Sequence, residues 1–129
     1  MSDVVLDASA LLAMLKGERG AAKVAGAIAG ARISAVNYAE VVSHFVQAGM
    51  PEREVDAMLD PLPMIVVPVD KPLAQLAGRL RAVTAEAGLS LGDRMCLALA
   101  RRDELPAWTS DLAGKKIADA VQVKVVAIR

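Results

Sequence analysis

The chain has 129 residues, enough for one compact domain with a sheet and its helices but too few for two domains with separate cores. Lys plus Arg and Asp plus Glu each number 15, which excludes a protein that coats nucleic acid through overall positive charge and leaves only focused basic patches. The single cysteine, Cys96, excludes a disulfide framework and a thiolate metal site, so a reducing, cytoplasmic setting is the default.

The amino terminus meets Asp3 and Asp7 with no preceding positive segment and does not read as a signal peptide. Val4, Val5 and Leu6 predict a short strand, and Ala8 to Leu15 switch to good helix formers, so Asp7 falls at a strand-to-helix turn. Gly17 and Gly20 end that helix, Ala21 to Ala29 predicts a second helix of small residues, and Arg32 and Ile33 belong to a short strand. Helical period runs from Asn37 to Ala48, with Ala39, Val42, Phe45 and Val46 as its apolar stripe and Glu40 one turn from its start. Gly49 and Pro51 separate it from a helix over Glu52 to Leu59.

Pro61 and Pro63 impose an extended connection into Met64 to Val67, the clearest strand pattern in the chain. The apolar stretch from Met64 to Val69 is too short and too interrupted by proline to cross a bilayer, so no membrane partner is expected. Asp70 caps one long helix through Leu73, Leu80 and Val83 that ends before Gly88. Ser90 precedes a helix carrying Asp93 and Cys96, Pro106 to Thr109 form a short strand followed by Asp111, and Val123 to Ile128 form the last one. Strands alternating with helices predict a mainly parallel sheet covered on both faces, whose ligand crevice lies at the carboxyl ends of the strands.

Asp7, Glu40, Asp93 and Asp111 therefore all stand at junctions that can converge on one edge. Each also has a structural reading: Asp7 and Asp111 as helix caps, Asn37 with Glu40 and Ser90 with Asp93 as capping boxes. Together they match the oxygen donors that Mg²⁺ or Mn²⁺ prefers, and a bound cation would neutralise phosphate oxygens and acidify water for phosphodiester hydrolysis. Lys16, Arg19 and Lys23, and later Arg94, Arg101, Arg102, Lys115 and Lys116, are candidate cations for a basic patch, or else solvated helix faces. The lone histidine, His44, reads as a packed or surface residue rather than part of a nucleophilic triad. No phosphate-binding glycine loop, dinucleotide fingerprint or zinc spacing is present, and Trp108 reads as strand packing.

VVLDASALLAML, ISAVNYAEVVSHF, LSLGDRMCLALA and LPAWTSD resemble, in order, the acidic motifs of PIN-domain ribonucleases, specifically the toxins of the VapBC toxin–antitoxin type. The resemblance spans almost the whole chain as a single domain over residues 1–129. It implies a PIN-like three-layer α/β/α sandwich with a mainly parallel central sheet, and a Mg²⁺- or Mn²⁺-dependent endoribonuclease that leaves a 3′-hydroxyl and a 5′-phosphate. It also implies a homodimer inhibited by a cognate antitoxin whose carboxyl-terminal segment enters the groove. Asp7, Glu40, Asp93 and Asp111 would be the catalytic and metal-binding acids, with Ser9, Asn37 and Thr109 in support. Arg94 stands where many relatives have a small residue and would contact substrate phosphate, neutralise the acidic cluster, or hinder the usual geometry. Three other readings stay open: a catalytically inactive PIN-like domain that binds RNA or antitoxin, a receiver-like signalling domain, and a metal-dependent phosphatase. The last two lack, respectively, a central-strand phosphoacceptor Asp with a late Lys and a paired-Asp loop. Met14, Leu15, Val42, Phe45, Val46, Val55 and Leu59 supply either core or a partner-binding face.

Overall fold

A computed structural model describes residues 3–111 and 113–129. Strands β1 (Val5–Leu6), β2 (Arg32–Ser34), β3 (Ile65–Val67), β4 (Ala107–Thr109) and β5 (Val125–Ala127) form one sheet in the order β3-β2-β1-β4-β5. Every pairing is parallel, and Val5 stands between Arg32 on one side and Ala107 on the other. The chain winds outward from β1 through β2 to β3, then returns to place β4 on the opposite flank. That reversal opens a crevice at the carboxyl ends of the central strands.

Side chains alternate across the strands, as a period of two requires. Leu6 and Ile33 point to one face, where they are covered by α1 (Ala8–Leu15), α2 (Ala21–Ala27), α3 (Ala35–Gln47) and α4 (Glu52–Leu59). Val5, Ala107 and Val125 point to the other, beneath α5 (Lys71–Arg79), α7 (Leu91–Asp103) and α8 (Ala118–Val121). The result is the three-layer α/β/α arrangement that the alternation of elements predicts. Among the described residues no helix is long and apolar enough to cross a membrane.

Three departures from the sequence reading lie in the helices. The helix expected from Asp70 to Val83 is two helices, α5 and α6 (Arg81–Thr84), with Asp70 capping the first through Leu73 N at 3.0 Å. The Leu80 carbonyl at the junction takes the Thr84 hydroxyl at 2.9 Å and the Val83 amide at 3.1 Å, the tightened bonding that interrupts an α-helix. The cap of α3 is Ser34 rather than Asn37, its Oγ accepting from Asn37 N at 3.0 Å.

With that start, the buried face of α3 runs through Asn37, Val41 and Phe45, while Ala39 and Val46 are exposed. The expected stripe was thus rotated by about one residue, roughly 100°. The clearest strand pattern lies at an edge of the sheet: among the described residues β3 pairs only with β2, and Ile65 and Val66 are 51% and 40% exposed.

Opposite the crevice, Asp103 at the end of α7 accepts from Arg32 Nη1 at 2.8 Å and Arg102 Nε at 2.8 Å. Burial pushes its carboxyl up, but the hydrogen bonds and charges of the two arginines outweigh this and hold it below its ordinary value. A depressed folded value adds stability that is present above about pH 4 and fades as pH falls through the folded value. Asp103→Asn should therefore lower unfolding free energy by about 1–2 kcal/mol at pH 7 in urea titrations. The difference from wild type should shrink on acidification below pH 4.

Candidate active site

Asp7 leaves β1 and caps α1. Its Oδ1 accepts from Ala10 N at 2.9 Å and from the Ser9 hydroxyl at 2.7 Å, while its own amide donates to the Trp108 carbonyl of β4 at 3.1 Å. Ser9 Oγ lies 3.2 Å from Thr109 Oγ1 and accepts from Ser110 N at 2.9 Å, and Thr109 Oγ1 accepts from Asp111 N at 3.0 Å. Two hydroxyls thus tie the turn after β1 to the turn after β4. They fix the Asp7 carboxylate and the backbone of Asp111 in one frame.

The second half of the site comes from α3 and α7. Asn37 is 1% exposed, so its amide needs partners on every side. Ser34 Oγ donates to Asn37 Oδ1 at 2.6 Å, and Asn37 Nδ2 donates to Glu40 Oε1 at 2.9 Å and the Gly92 carbonyl at 3.0 Å. Asp93 completes a capping box with Ser90: Asp93 N donates to Ser90 Oγ at 3.1 Å, and Ser90 N donates to Asp93 Oδ2 at 2.9 Å. The capping readings of Asp7 and Asp93 are thus both correct, and neither removes the residue from the crevice.

Asp7, Ser9, Asn37, Glu40, Asp93 and Asp111 line one cleft of about 310 Å³, together with Ala8, Leu12 and His44. A small apolar hollow of about 30 Å³ adjoins it, walled by Leu89, Cys96, Leu97, Ala107 and Val125, with Thr109 at its border. Burial pushes the Asp7 carboxyl above its ordinary value, more than hydrogen bonds from Thr109, Ser9 and Ala10 pull it down, and the charge of Asp93 adds to the rise. Glu40 is raised by burial against the pull of Asn37, then by the charges of Asp93 and Asp7. The thiol of Cys96 is pushed well up by burial and by the same three acids, which leaves it a neutral packing group. Two carboxyls raised by burial and by neighbouring negative charge mark a site short of positive charge.

The donor set is hard oxygen, which suits a hydrated divalent cation. Among the described residues, however, no three His, Cys, Asp or Glu side chains stand close enough to enclose an ion. The acids share a cleft without forming a closed ligand shell, and part of the Asp93 carboxylate is spent on the Ser90 amide.

One assignment changes. Arg94 does not face the cleft: it is 8% exposed, with Nη1 donating to the Ala77 carbonyl of α5 at 3.2 Å and Nε without a partner among the described residues. One residue beyond Asp93 on a helix is a turn of about 100°, which carries the guanidinium into the α5–α7 seam and away from phosphate. His44, expected to be a packed or surface residue, is half-buried on the cleft wall one turn beyond Glu40, its ring edge-on to Phe45 at 5.2 Å. The i, i+4 spacing from Glu40 was the signal for its placement. Of the other candidate cations, Lys16 pairs with Glu18 at 3.5 Å and Lys23 lies 5.0 Å from the Trp108 ring centroid. Trp108 itself packs against the cluster beneath α1 and α2, as a strand residue should.

A protein-family model for the PIN domain matches residues 4–120, a span that includes all four acids. No curated protein sequence matches the chain. Solved structures do. The toxin–antitoxin complex from Klebsiella pneumoniae is 22% identical, with 98% of each chain covered and a TM-score of 0.74. The DNA-bound VapBC complex from Salmonella typhimurium is 18% identical, with 100% of each chain covered and a TM-score of 0.77. VapC20 of Mycobacterium tuberculosis, a toxin that cleaves the sarcin–ricin loop, is 16% identical over 84% of this chain and 90% of its own, with a TM-score of 0.68. At these identities the likeness is one of fold, while the family match covers most of the sequence: the chain belongs to the PIN-domain family.

Proposed function

We propose that the protein is a cytoplasmic endoribonuclease that depends on Mg²⁺ or Mn²⁺ and serves as the toxin of a toxin–antitoxin pair. The observation that carries this reading is the arrival of Asp7, Glu40, Asp93 and Asp111 from four separated chain segments in one cleft. Toxin–antitoxin complexes among the fold's structural neighbours support the biological setting, and a neighbour that cleaves the sarcin–ricin loop supports the substrate class. A cognate antitoxin and a second copy of the chain are the expected partners.

A divalent cation, when bound, would offset phosphate charge and acidify water. The protein's own part is to hold oxygen donors in place before substrate arrives. Ser9 and Thr109 orient Asp7, Asn37 orients Glu40, and the first turn of α7 presents Asp93. The hydroxyls and the amide restrict the carboxylates without neutralising them. They therefore preserve the negative charge that a cation requires and that RNA alone would avoid. The carboxylates' spread, short of a closed shell, favours the competing reading of a domain that binds RNA or antitoxin without hydrolysis.

Antitoxin-free protein incubated with a mixed pool of structured RNA should give defined fragments with Mg²⁺ or Mn²⁺ and none with EDTA. Asp93→Asn should lower the rate at least about a hundredfold with the circular dichroism spectrum unchanged. RNA or antitoxin binding without fragments, at equal metal and protein, would establish the non-hydrolytic alternative.

Asp7→Asn should act in opposite directions on activity and stability. Cleavage should fall as for Asp93→Asn, while the amide oxygen still accepts from Ser9 and Ala10. Because the folded carboxyl of Asp7 is raised, its ionised form costs stability at pH values above that raised folded value. Metal-free Asp7→Asn should therefore melt at a higher temperature than wild type at pH 7–8, with the gain vanishing below about pH 4. A variant that melts lower across the whole range would contradict this electrostatic account.

A further inference from the structure

Gly92 is the second residue of α7, a 13-residue helix, and it is buried. Glycine weakens a helix at such a position, and Gly92 is not among the residues with positive φ, so backbone conformation does not explain it. What surrounds it does. A Cβ at Gly92 would lie 2.5 Å from each carboxylate oxygen of Glu40 and 2.7 Å from its Cδ, the three nearest atoms to that point. At the other glycines inside helices, Gly26 and Gly78, a Cβ would meet nothing within 4 Å.

The space left by the missing side chain is thus filled by the carboxylate of α3. Asn37 holds both sides of this contact, since its Nδ2 reaches Glu40 Oε1 at 2.9 Å and the Gly92 carbonyl at 3.0 Å. The orientation of the amide is set by Ser34, whose hydroxyl donates to Oδ1. We propose that Gly92 is a positioning residue: its bare Cα forms the slot in which the Glu40 carboxylate lies against the start of α7, latched there by Asn37.

Two physical consequences follow. The slot sets the carboxylate at the amino end of α7, where the helix dipole favours negative charge, next in the chain to Asp93. And because the colliding atoms are the free end of a flexible side chain, an added methyl would move the Glu40 carboxylate rather than the helix. Gly92→Ala therefore separates the position of this carboxylate from the integrity of the fold. The functional meaning of the slot rests on the metal-dependent reading above, whereas its geometry does not.

The test uses the full chain as wild type, Gly92→Ala, Glu40→Ala and the double variant. Calorimetry with MnCl₂ should show Gly92→Ala weakening Mn²⁺ binding about ten- to hundredfold, the usual scale for loss of a ligand's support. In the Glu40→Ala background the same substitution should change Mn²⁺ affinity less than about twofold, because neighbouring residues that act through one contact are non-additive. Equal losses in both backgrounds, or wild-type affinity in Gly92→Ala, would overturn the proposal. A wild type that binds no Mn²⁺ would instead sink the metal reading. The slot is then decided by a crystal structure of Gly92→Ala: a Glu40 carboxylate displaced from Asn37 Nδ2 supports it, and one still bonded there against α7 refutes it.

Discussion

Negative charge gathered at the carboxyl edge of the sheet is held there by the beginnings of helices. Asp7 caps α1, Asp93 occupies the first turn of α7, and Glu40 reaches across from α3 to the same helix start. Amide groups without intrahelical partners are concentrated at such ends, and they carry partial positive charge. They lessen the mutual repulsion of the acids without forming ion pairs that would occupy them. This is why the Asp7 and Glu40 carboxyls remain raised by burial and by the charge of Asp93 while the fold still brings them together. An arginine in the cleft would have removed the repulsion and competed with a cation for the same oxygens.

Around this charge the polar groups divide into two sets with one job. Ser9 and Thr109 link the ends of β1 and β4, and Ser34 and Asn37 link the end of β2 to α7. Both sets span long separations in sequence and short distances in space. They convert the order of strands in the sheet into fixed positions for oxygen atoms. The apolar layers above and below supply the rigidity, and these few hydroxyls and one amide transmit it to the crevice.

Much of the site was legible because the signals that start a helix are local. The strands Val5–Leu6 and Ala107–Thr109 lie within the runs Val4–Leu6 and Pro106–Thr109 that predict them, and the capping residues Asp7, Asp70 and Ser90 are recognisable within a few positions. What escaped the sequence depended on contacts between distant segments. The facing of α3 follows from Ser34 and from Asn37 meeting Gly92, 55 positions away, and period alone placed the stripe one residue off. Arg94 reads as a surface cation until α5 supplies the Ala77 carbonyl. Gly92 carries no side chain to attract notice, and its importance is visible only when Glu40 is seen occupying the space beside it.

One of the two edge strands, β3, leaves a row of backbone groups without a partner in the sheet among the described residues and exposes Ile65 and Val66. An open, apolar margin of that kind is a template on which like chains stack into fibrils. Here the margin is only three residues long and is bracketed by Pro63 and Pro68, which cannot donate to a growing ladder. Brevity and proline together act as gatekeepers, so this exposed apolar margin offers little backbone on which a ladder could grow.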